Sequence, residues 1–495
     1  MRKVIIIGAG VAGLCAGVYA AQSGFDVTVY EGHTIPGGAS TSWRRKGYLF
    51  EGGMHWLTGS SPKVPINRLW REVGALNDGT VLYQRDPFFT FTENGQTACL
   101  FRDPEKLRQH LTQLSPEDRK EINRLCKDIR LFSKVFMPVT DLPKLKVKYP
   151  SKMPMSLLLG MLPALPGMAR YSKISVTELA ERFRNPAIRL LIENCIGPDY
   201  SATAALFTMA TLASGDGGYP EGGSLAMSQR MADYLSSLGG KIQYHTKVER
   251  VWTENGVTKG VLINGEKVAA DAVIVTLDTR MAIDTMFEEP IHEEWAEKMR
   301  KTTEPMMDVF VGIGVESDLS RLPESESFVT SEPIQCGNLV TNIVGFNNYA
   351  KYKGYAPEGC TAMTAVIMGD SYDYWKACWL NGTYEAEKQR IAKEFIRELV
   401  KKYPQLDGKI AVWDVATPLT YERYLGSYKG SWMSLTRKNA PNQSYPCKPE
   451  SIQGVYFAGQ RLQTPGGLPV ALVTGRTAVQ QFCTDTDTVF QGNLS

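Results

Sequence analysis

The chain opens on an apolar, β-branched run, Val4 to Ile7, which reads as a buried parallel strand. Gly8, Gly10 and Gly13 follow, and a small-residue helix is predicted over Val11 to Gln22. A second strand, Asp26 to Tyr30, ends in Glu31, eighteen residues after Gly13. From about residue 65 to 208 the pattern changes to helices and proline-broken loops. Asp103 and Pro104 supply a cap and a first helical position for a helix over Pro104 to Leu114, and Ser115-Pro116 repeat that start for Pro116 to Phe132. Val176 to Cys195 is a third predicted helix. Near Gly217 the pattern of short strands and helices returns. Gly222-Gly223-Ser224 opens a helix, Leu225 to Leu238, that Gly239-Gly240 ends. Strands are predicted at Lys241 to Tyr244, Thr246 to Thr253, Gly260 to Asn264, Glu266 to Ala270 and Ala272 to Leu277, with Asn255-Gly256 and Asn264-Gly265 as hairpin turns. A further insertion, from about Asp284 to Pro449, carries strands at Asp308 to Val315, Thr361 to Met368 and Ile410 to Trp413, and a helix at Thr383 to Lys402. The chain then closes with a strand, Gly454 to Gly459, and a helix from about Leu468 to Gln481.

The opening turn carries chemistry. In a strand–turn–helix unit with G-x-G-x-x-G spacing, Gly8 permits the tight turn and Gly10 lets a pyrophosphate approach the backbone. Gly13 lets the helix lie close on the sheet, its N-terminal N–H groups facing the phosphates. Glu31 at the end of the second strand suits a ribose diol and repels a 2′-phosphate, so the spacing predicts FAD or NAD rather than NADP. A basic start, Met1-Arg2-Lys3, before apolar sequence to Ala21 also fits a secretory signal or a short membrane span. Four glycines within it, and the strand and acid that follow, argue against both.

Totals narrow the classes further. Net charge is +3 with 22% charged residues, which predicts no nucleic-acid partner. Nine scattered cysteines without a C-x-x-C pair suit reduced thiols in a cytoplasm, and five histidines without paired spacing predict no metal. There is no G-x-S-x-G elbow and no phosphate-binding G-x-x-x-x-G-K-[ST] loop. At 495 residues the chain holds two or more domains.

Taken together, the motifs resemble the FAD-dependent phytoene desaturase, carotenoid isomerase and retinol saturase family, within the flavin amine oxidase superfamily. The resemblance is carried by Gly8 to Gly13 with Glu31, Gly37-Gly38, Gly52-Gly53-Met54-His55 and Tyr219-Pro220-Glu221-Gly222-Gly223. Further on it rests on Thr246 to Val251, Thr417-Pro418-Leu419-Thr420, Val455 to Gly459 and Pro465-Gly466-Gly467-Leu468-Pro469. It implies an α/β fold: a discontinuous Rossmann-like FAD-binding domain (GR2 type) with an inserted α+β substrate domain and a helical cap. The expected division is 1–64 with 209–283 and 450–495 for FAD, 65–208 as a helical, membrane-facing insertion, and 284–449 as the substrate domain.

The resemblance also implies roles. Gly8, Gly10, Val11, Ala12 and Gly13 form the phosphate turn, Glu31 takes the adenosine ribose, and Gly37, Gly38, Ala39 and Ser40 continue the cradle. Met54 and His55 run beneath the isoalloxazine ring, and Val248 offers backbone groups to adenine. Gly459 and Gln460 face the ribityl phosphate, and the helix starting at Leu468, Pro469 and Val470 aims its N-terminus at the flavin carbonyl. Gln460 stands where many members have Asp, and Ala39 where amine oxidases have Arg. His55 reads as structural, and Glu221 as a neighbour of a helix start more than a proton carrier. No catalytic residue is assigned.

Substrate choice falls to the insertions. Met153 to Met168 is strongly apolar and follows Lys144, Lys146, Lys148 and Lys152. It reads either as a buried helix pair or as a membrane-surface entrance over 144–168 for a lipid-like substrate. Tyr421, Tyr424, Tyr428 and Trp432 either wall a cavity or pack a sheet. The leading expectation is desaturation, saturation or double-bond isomerisation of a hydrophobic polyene or isoprenoid-like molecule, by a protein that is cytoplasmic or peripheral on the inner face of the membrane. An amine or porphyrinogen oxidase is the second reading, and a flavin-binding lipid carrier without turnover the third.

Overall fold

Lys3–Ile7 lies at the centre of a parallel five-stranded sheet because each of its apolar residues is flanked on both sides by others. In the computed structural model, which describes residues 1–440 and 443–492, the sheet order is Val455–Phe457, Ala272–Val275, Lys3–Ile7, Asp26–Tyr30, Lys241–Gln243. Ile6 stands between Val29 and Ile274, and Ile274 pairs in turn with Tyr456. Three stretches far apart in sequence therefore build one sheet. The helices Val11–Gln22 and Gly467–Asp485 cover it side by side. A β-carbon on Gly475 would fall 2.6 Å from the Ala12 carbonyl oxygen, so the two helices touch backbone to backbone.

Arg250–Glu254, Val257–Ile263 and Glu266–Ala269 form an antiparallel meander. Its turns are the predicted Asn-Gly pairs, with φ of 49° and 72° at Asn255-Gly256 and 52° and 77° at Asn264-Gly265. The expected strand from Thr246 starts only at Arg250, since the Thr246 N–H instead donates to the Glu31 carbonyl.

The second layer is a seven-stranded sheet in the order Ile410–Ala416, Asp308–Val315, Thr361–Met368, Leu339–Asn348, Ser325–Cys336, Phe89–Glu93, Gln96–Leu100. Val309, Val311, Ile313 and Val315 bury one face against Ile391, Phe395 and Leu399 of the helix Tyr384–Lys402. On the other face Gly312 and Gly314 leave sockets for the rings of Phe50 and Tyr48.

Three expectations are corrected here. The 65–208 stretch is not purely helical: Phe89–Glu93 and Gln96–Leu100 form a hairpin around Asn94-Gly95 and extend the larger sheet through a parallel pairing of Thr90 with Glu326. Ser325–Cys336 and Leu339–Asn348 are strands that the hydrophobic pattern does not announce, because Ser, Thr, Glu and Asn interrupt both faces. The helix expected over Val176 to Cys195 splits into Val176–Ala180 and Pro186–Asn194. Asn185 caps the second piece by accepting from the Ala187 and Ile188 N–H groups, while the Asp118 carboxylate takes the N–H groups of Arg184 and Asn185.

Met153 to Met168 becomes two short helices, Met155–Met161 and Leu165–Tyr171, joined by a 3-10 turn. The buried reading fails for it: Met155, Leu158, Leu159, Leu162 and Leu165 are all exposed. Among the described residues no helix is long and apolar enough to cross a membrane.

A buried ion pair binds the two layers. The Arg461 Nε donates to both Asp278 carboxylate oxygens at 2.8 Å, and Asp278 also accepts from the N–H groups of Arg280 and Tyr428. Arg461 reaches on to the Ser434 hydroxyl, so the loop 426–434 is pinned to the end of the parallel sheet. Removing one partner of such a pair leaves a buried charge alone. Asp278→Asn is expected to lose about 3 kcal/mol in urea denaturation, and the double variant Asp278→Asn with Arg461→Met to regain most of that loss.

Candidate active site

The opening turn is built by glycine where no side chain fits. Gly8 has φ of 103°, and a β-carbon on Gly13 would lie 1.9 Å from the Gly8 carbonyl oxygen. Thr276 locks the turn from the next strand, its hydroxyl donating to the Ile7 and Gly8 carbonyls. Gly10 differs: a β-carbon there would meet nothing nearer than 3.8 Å, so the surface above the turn is open. The Gly37 N–H donates to the Ala9 carbonyl, bringing Gly37 and Gly38 alongside Gly10.

Glu31 is held by its own backbone surroundings. One carboxylate oxygen accepts from the Ala9 N–H at 2.7 Å and the other from the His33 N–H at 2.8 Å. Each oxygen keeps a lone pair for a diol at the cavity edge. Val248 lies close by on the same rim, and among the described residues neither its N–H nor its C=O has a hydrogen-bond partner. Ser40, on the cavity wall, has a buried hydroxyl without a partner. Open space over glycine, a pinned carboxylate and unpaired backbone and hydroxyl groups together fit a dinucleotide laid from Glu31 towards Gly459.

At the far end Gly459 takes φ of 150°, and Gly466 and Gly467 start the closing helix; Pro469 has no N–H and the Gly467 N–H goes to Gln460, which leaves the Leu468 N–H at the helix start for the cavity. Two expected residues behave differently. Gln460 lines the wall, but its amide is spent within the protein: Nε2 donates to the Trp432 carbonyl and Oε1 accepts from the Gly467 N–H at 3.1 Å. Val470 is fully buried beneath the helix, and Ala471 takes its place on the wall beside Leu468 and Pro469. Val11, Ala12, Ala39, Met54 and His55 line the cavity, while Gly13 lies beneath the turn.

Cradle and substrate space form one cavity of about 2530 Å³. Ligand pockets usually hold roughly 300–1,000 Å³, so there is room for a dinucleotide and a long second molecule. Phe310, Val366, Met368 and Ile343 of the seven-stranded sheet make its floor, and Phe136, Met137, Tyr200 and Phe207 an apolar arm. The four aromatic residues of 421–432 divide. Tyr421, Tyr424 and Trp432 line the cavity, Tyr424 also packing edge-on against His33, and Tyr428 stacks under Arg280.

His55 lines this cavity and is exposed to it. Burial, with help from the Arg85 guanidinium, lowers its pKa to about 4, so the ring is neutral at physiological pH. Glu221 is absent from the cavity wall and accepts from the Tyr83 hydroxyl beside the helix start, in keeping with its reading as a helix neighbour.

Three functional candidates escaped the motifs. Glu51 is buried and accepts from the N–H groups of Gly53, Met54 and Ser224 and from the Tyr219 hydroxyl, fixing the Gly53-Met54 bend. Asp308 stands on the floor at 3% exposure and accepts from the Tyr421 hydroxyl at 3.1 Å. Burial raises its pKa from 3.8 to about 7, against the smaller opposing effects of Tyr421 and Trp432. Arg85 is the third. The acid at the start of an otherwise apolar run, Asp308-Val309-Phe310-Val311, was the available signal.

A family model described as flavin containing amine oxidoreductase matches residues 11–483. Among curated proteins, the chain is 25% identical over 487 residues to the chloroplastic prolycopene isomerase of Daucus carota, covering 92% of this chain and 75% of that protein. It is 22% identical to a 4,4'-diapophytoene desaturase of Methylomonas sp, covering 97% and 94%. Among solved structures, an oxidoreductase from Methanosarcina mazei aligns with a TM-score of 0.60 at 18% identity, covering 97% of this chain and 99% of that one, a likeness of fold.

The folded pKa of Asp308 lies above its unfolded value, so the native state binds the extra proton between about pH 4 and 7. Its contribution to stability therefore falls as pH rises through that window and is flat above it. Asp308→Asn is expected to lose this slope, and thermal melts should find it more stable than the wild type at pH 8 but not at pH 4.

Proposed function

The chain belongs to the flavin-containing amine oxidoreductase family and is an FAD-dependent oxidoreductase, and on that premise we propose that it acts on carbon–carbon bonds of a hydrophobic polyene or isoprenoid-like molecule. The observation that carries this reading is the single cavity in which an apolar, aromatic arm and sheet floor run directly into the cofactor cradle. Relatives named as a prolycopene isomerase and a diapophytoene desaturase support it.

Bound FAD supplies a two-electron hydride acceptor or donor. Gly8 to Gly13, Glu31, Gly37 to Ser40, Val248, Gly459 and the start of the closing helix would hold it. The Leu468 N–H and the dipole at the start of that helix favour negative charge beside them. Phe310, Val366 and Met368 place an extended hydrocarbon on the floor, and the aromatic walls exclude water. Adding or removing hydrogen across a carbon–carbon bond also moves a proton. The Asp308 carboxyl, held by Tyr421, exchanges one near neutral pH.

Access from a lipid surface is part of the same reading. Pro138 belongs both to the cavity wall and to an outer groove lined by Leu142, Leu145, Met153 and Leu158. Exposed Leu159, Leu162 and Leu165 adjoin that groove in sequence, after the lysines of 144–152. This is the pattern of a helix lying in a headgroup layer, and it supports peripheral attachment through 144–168.

Two experiments test the proposal. After anaerobic reduction, the holoprotein is expected to be reoxidised by, or to isomerise, a member of a panel of carotenoids, retinoids and unsaturated fatty acids. Bleaching of the oxidised flavin by an amine alone would overturn it. Flotation with anionic liposomes is expected to carry the wild type and to leave the exposed-site variant Leu159→Glu with Leu162→Glu in the dense fraction.

A further inference from the structure

The cavity wall carries a buried cation that the proposed reaction leaves unused. Arg85 is 5% exposed and lines the cavity beside Phe88, its guanidinium carbon 5.6 Å from the ring centre. Nη1 donates to the Asn347 side-chain oxygen at 2.7 Å and Nη2 to the His55 carbonyl at 3.0 Å. Both partners are neutral, and among the described residues Arg85 has no salt bridge. Nearby carboxylates are occupied elsewhere. Asp86 pairs with Lys106, Asp216 accepts from Gly59, Ser60 and Ser61, and Glu51 has the four donors already described. Arg102 brings a second guanidinium over the same Phe88 ring and spends its donors on backbone carbonyls, so it adds positive potential and no counter-charge.

A guanidinium removed from water among neutral partners is costly unless an anion completes it, and its planar fork suits a carboxylate. Resting on the polyene reading, we infer that Arg85 is the anchor for a substrate carboxylate, so that the cavity takes an unsaturated long-chain carboxylic acid in preference to a neutral hydrocarbon. Arg85 also meets the His55 carbonyl, so a substrate and the reduced cofactor are both sources of an anion, which the test separates, and the floor sheet favours the substrate. Asn347 stands on the floor sheet, paired with Thr364, which is itself paired with Gly312. Strand rise and strand spacing put Asn347 about 16 Å from Asp308. An acid held at Arg85 thus lays its chain along the floor towards Asp308 and the start of the closing helix.

The test compares acids with their own methyl esters on the oxidised holoenzyme: all-trans-retinoic acid and linoleic acid, each against its ester, followed by flavin absorbance. The wild type is expected to bind one acid about 10- to 100-fold more tightly than its ester, the range for a charged hydrogen-bonded contact. Arg85→Gln is expected to lose that preference with ester binding retained, and Arg85→Lys to keep part of it. Equal binding of acid and ester by the wild type overturns the inference and leaves the polyene reading standing. Binding of neither overturns both. An acid preference that survives in Arg85→Gln overturns the inference, as does a fall in flavin midpoint potential in that variant without any acid preference in the wild type, which would assign the charge to the cofactor. The wild-type comparison needs no variant, so misfolding of Arg85→Gln cannot shelter the inference.

Discussion

The cradle depends on two helices meeting with nothing between their backbones. Gly475 of the closing helix rests on the Ala12 carbonyl of the first, and the Cys15 thiol donates to the Leu472 carbonyl, 457 residues away. That contact fixes the phosphate turn and the uncapped helix start as parts of one rigid body. A methyl group at Gly475 would pry them apart, and one at Gly13 would lift the first helix off its own strand. The cofactor positions rest on these close approaches more than on any residue that would touch the cofactor.

Much of this was legible because the signals are local. An apolar strand, three glycines and an acid at the next strand end describe a turn whose partners lie within thirty residues. The Asn-Gly hairpins, the Asp103-Pro104 helix start and the strand Asp308–Val315 are local in the same sense. The reading of Gly312-Ile313-Gly314 as strand also holds for a physical reason, since these glycines receive Phe50 and Tyr48 rather than a phosphate.

What the pattern hides is long-range. Ser325–Cys336 and Leu339–Asn348 pair with each other and with strands from elsewhere, and the cavity on one face lets their polar residues escape the rule of apolar alternation. Arg85 and Asp308 look like ordinary charged residues until the sheet brings both onto one wall. Gln460 shows the converse. Its position in the motif is as expected, but a carbonyl from Trp432 and an N–H from Gly467 claim its amide, and neither is predictable from neighbours in the chain.

The interleaving of the parallel sheet also sets a timetable during synthesis. Strands from residues 3–30 and 241–275 can pair early, but the edge strand at 455–457 and the helix that seals the cradle leave the ribosome only after the whole of the seven-stranded sheet. A nascent chain arrested before that point has half a nucleotide site and an uncovered sheet face. Coenzyme loading therefore waits for the closing helix, and chains that lack it stay unloaded and recognisable to quality control.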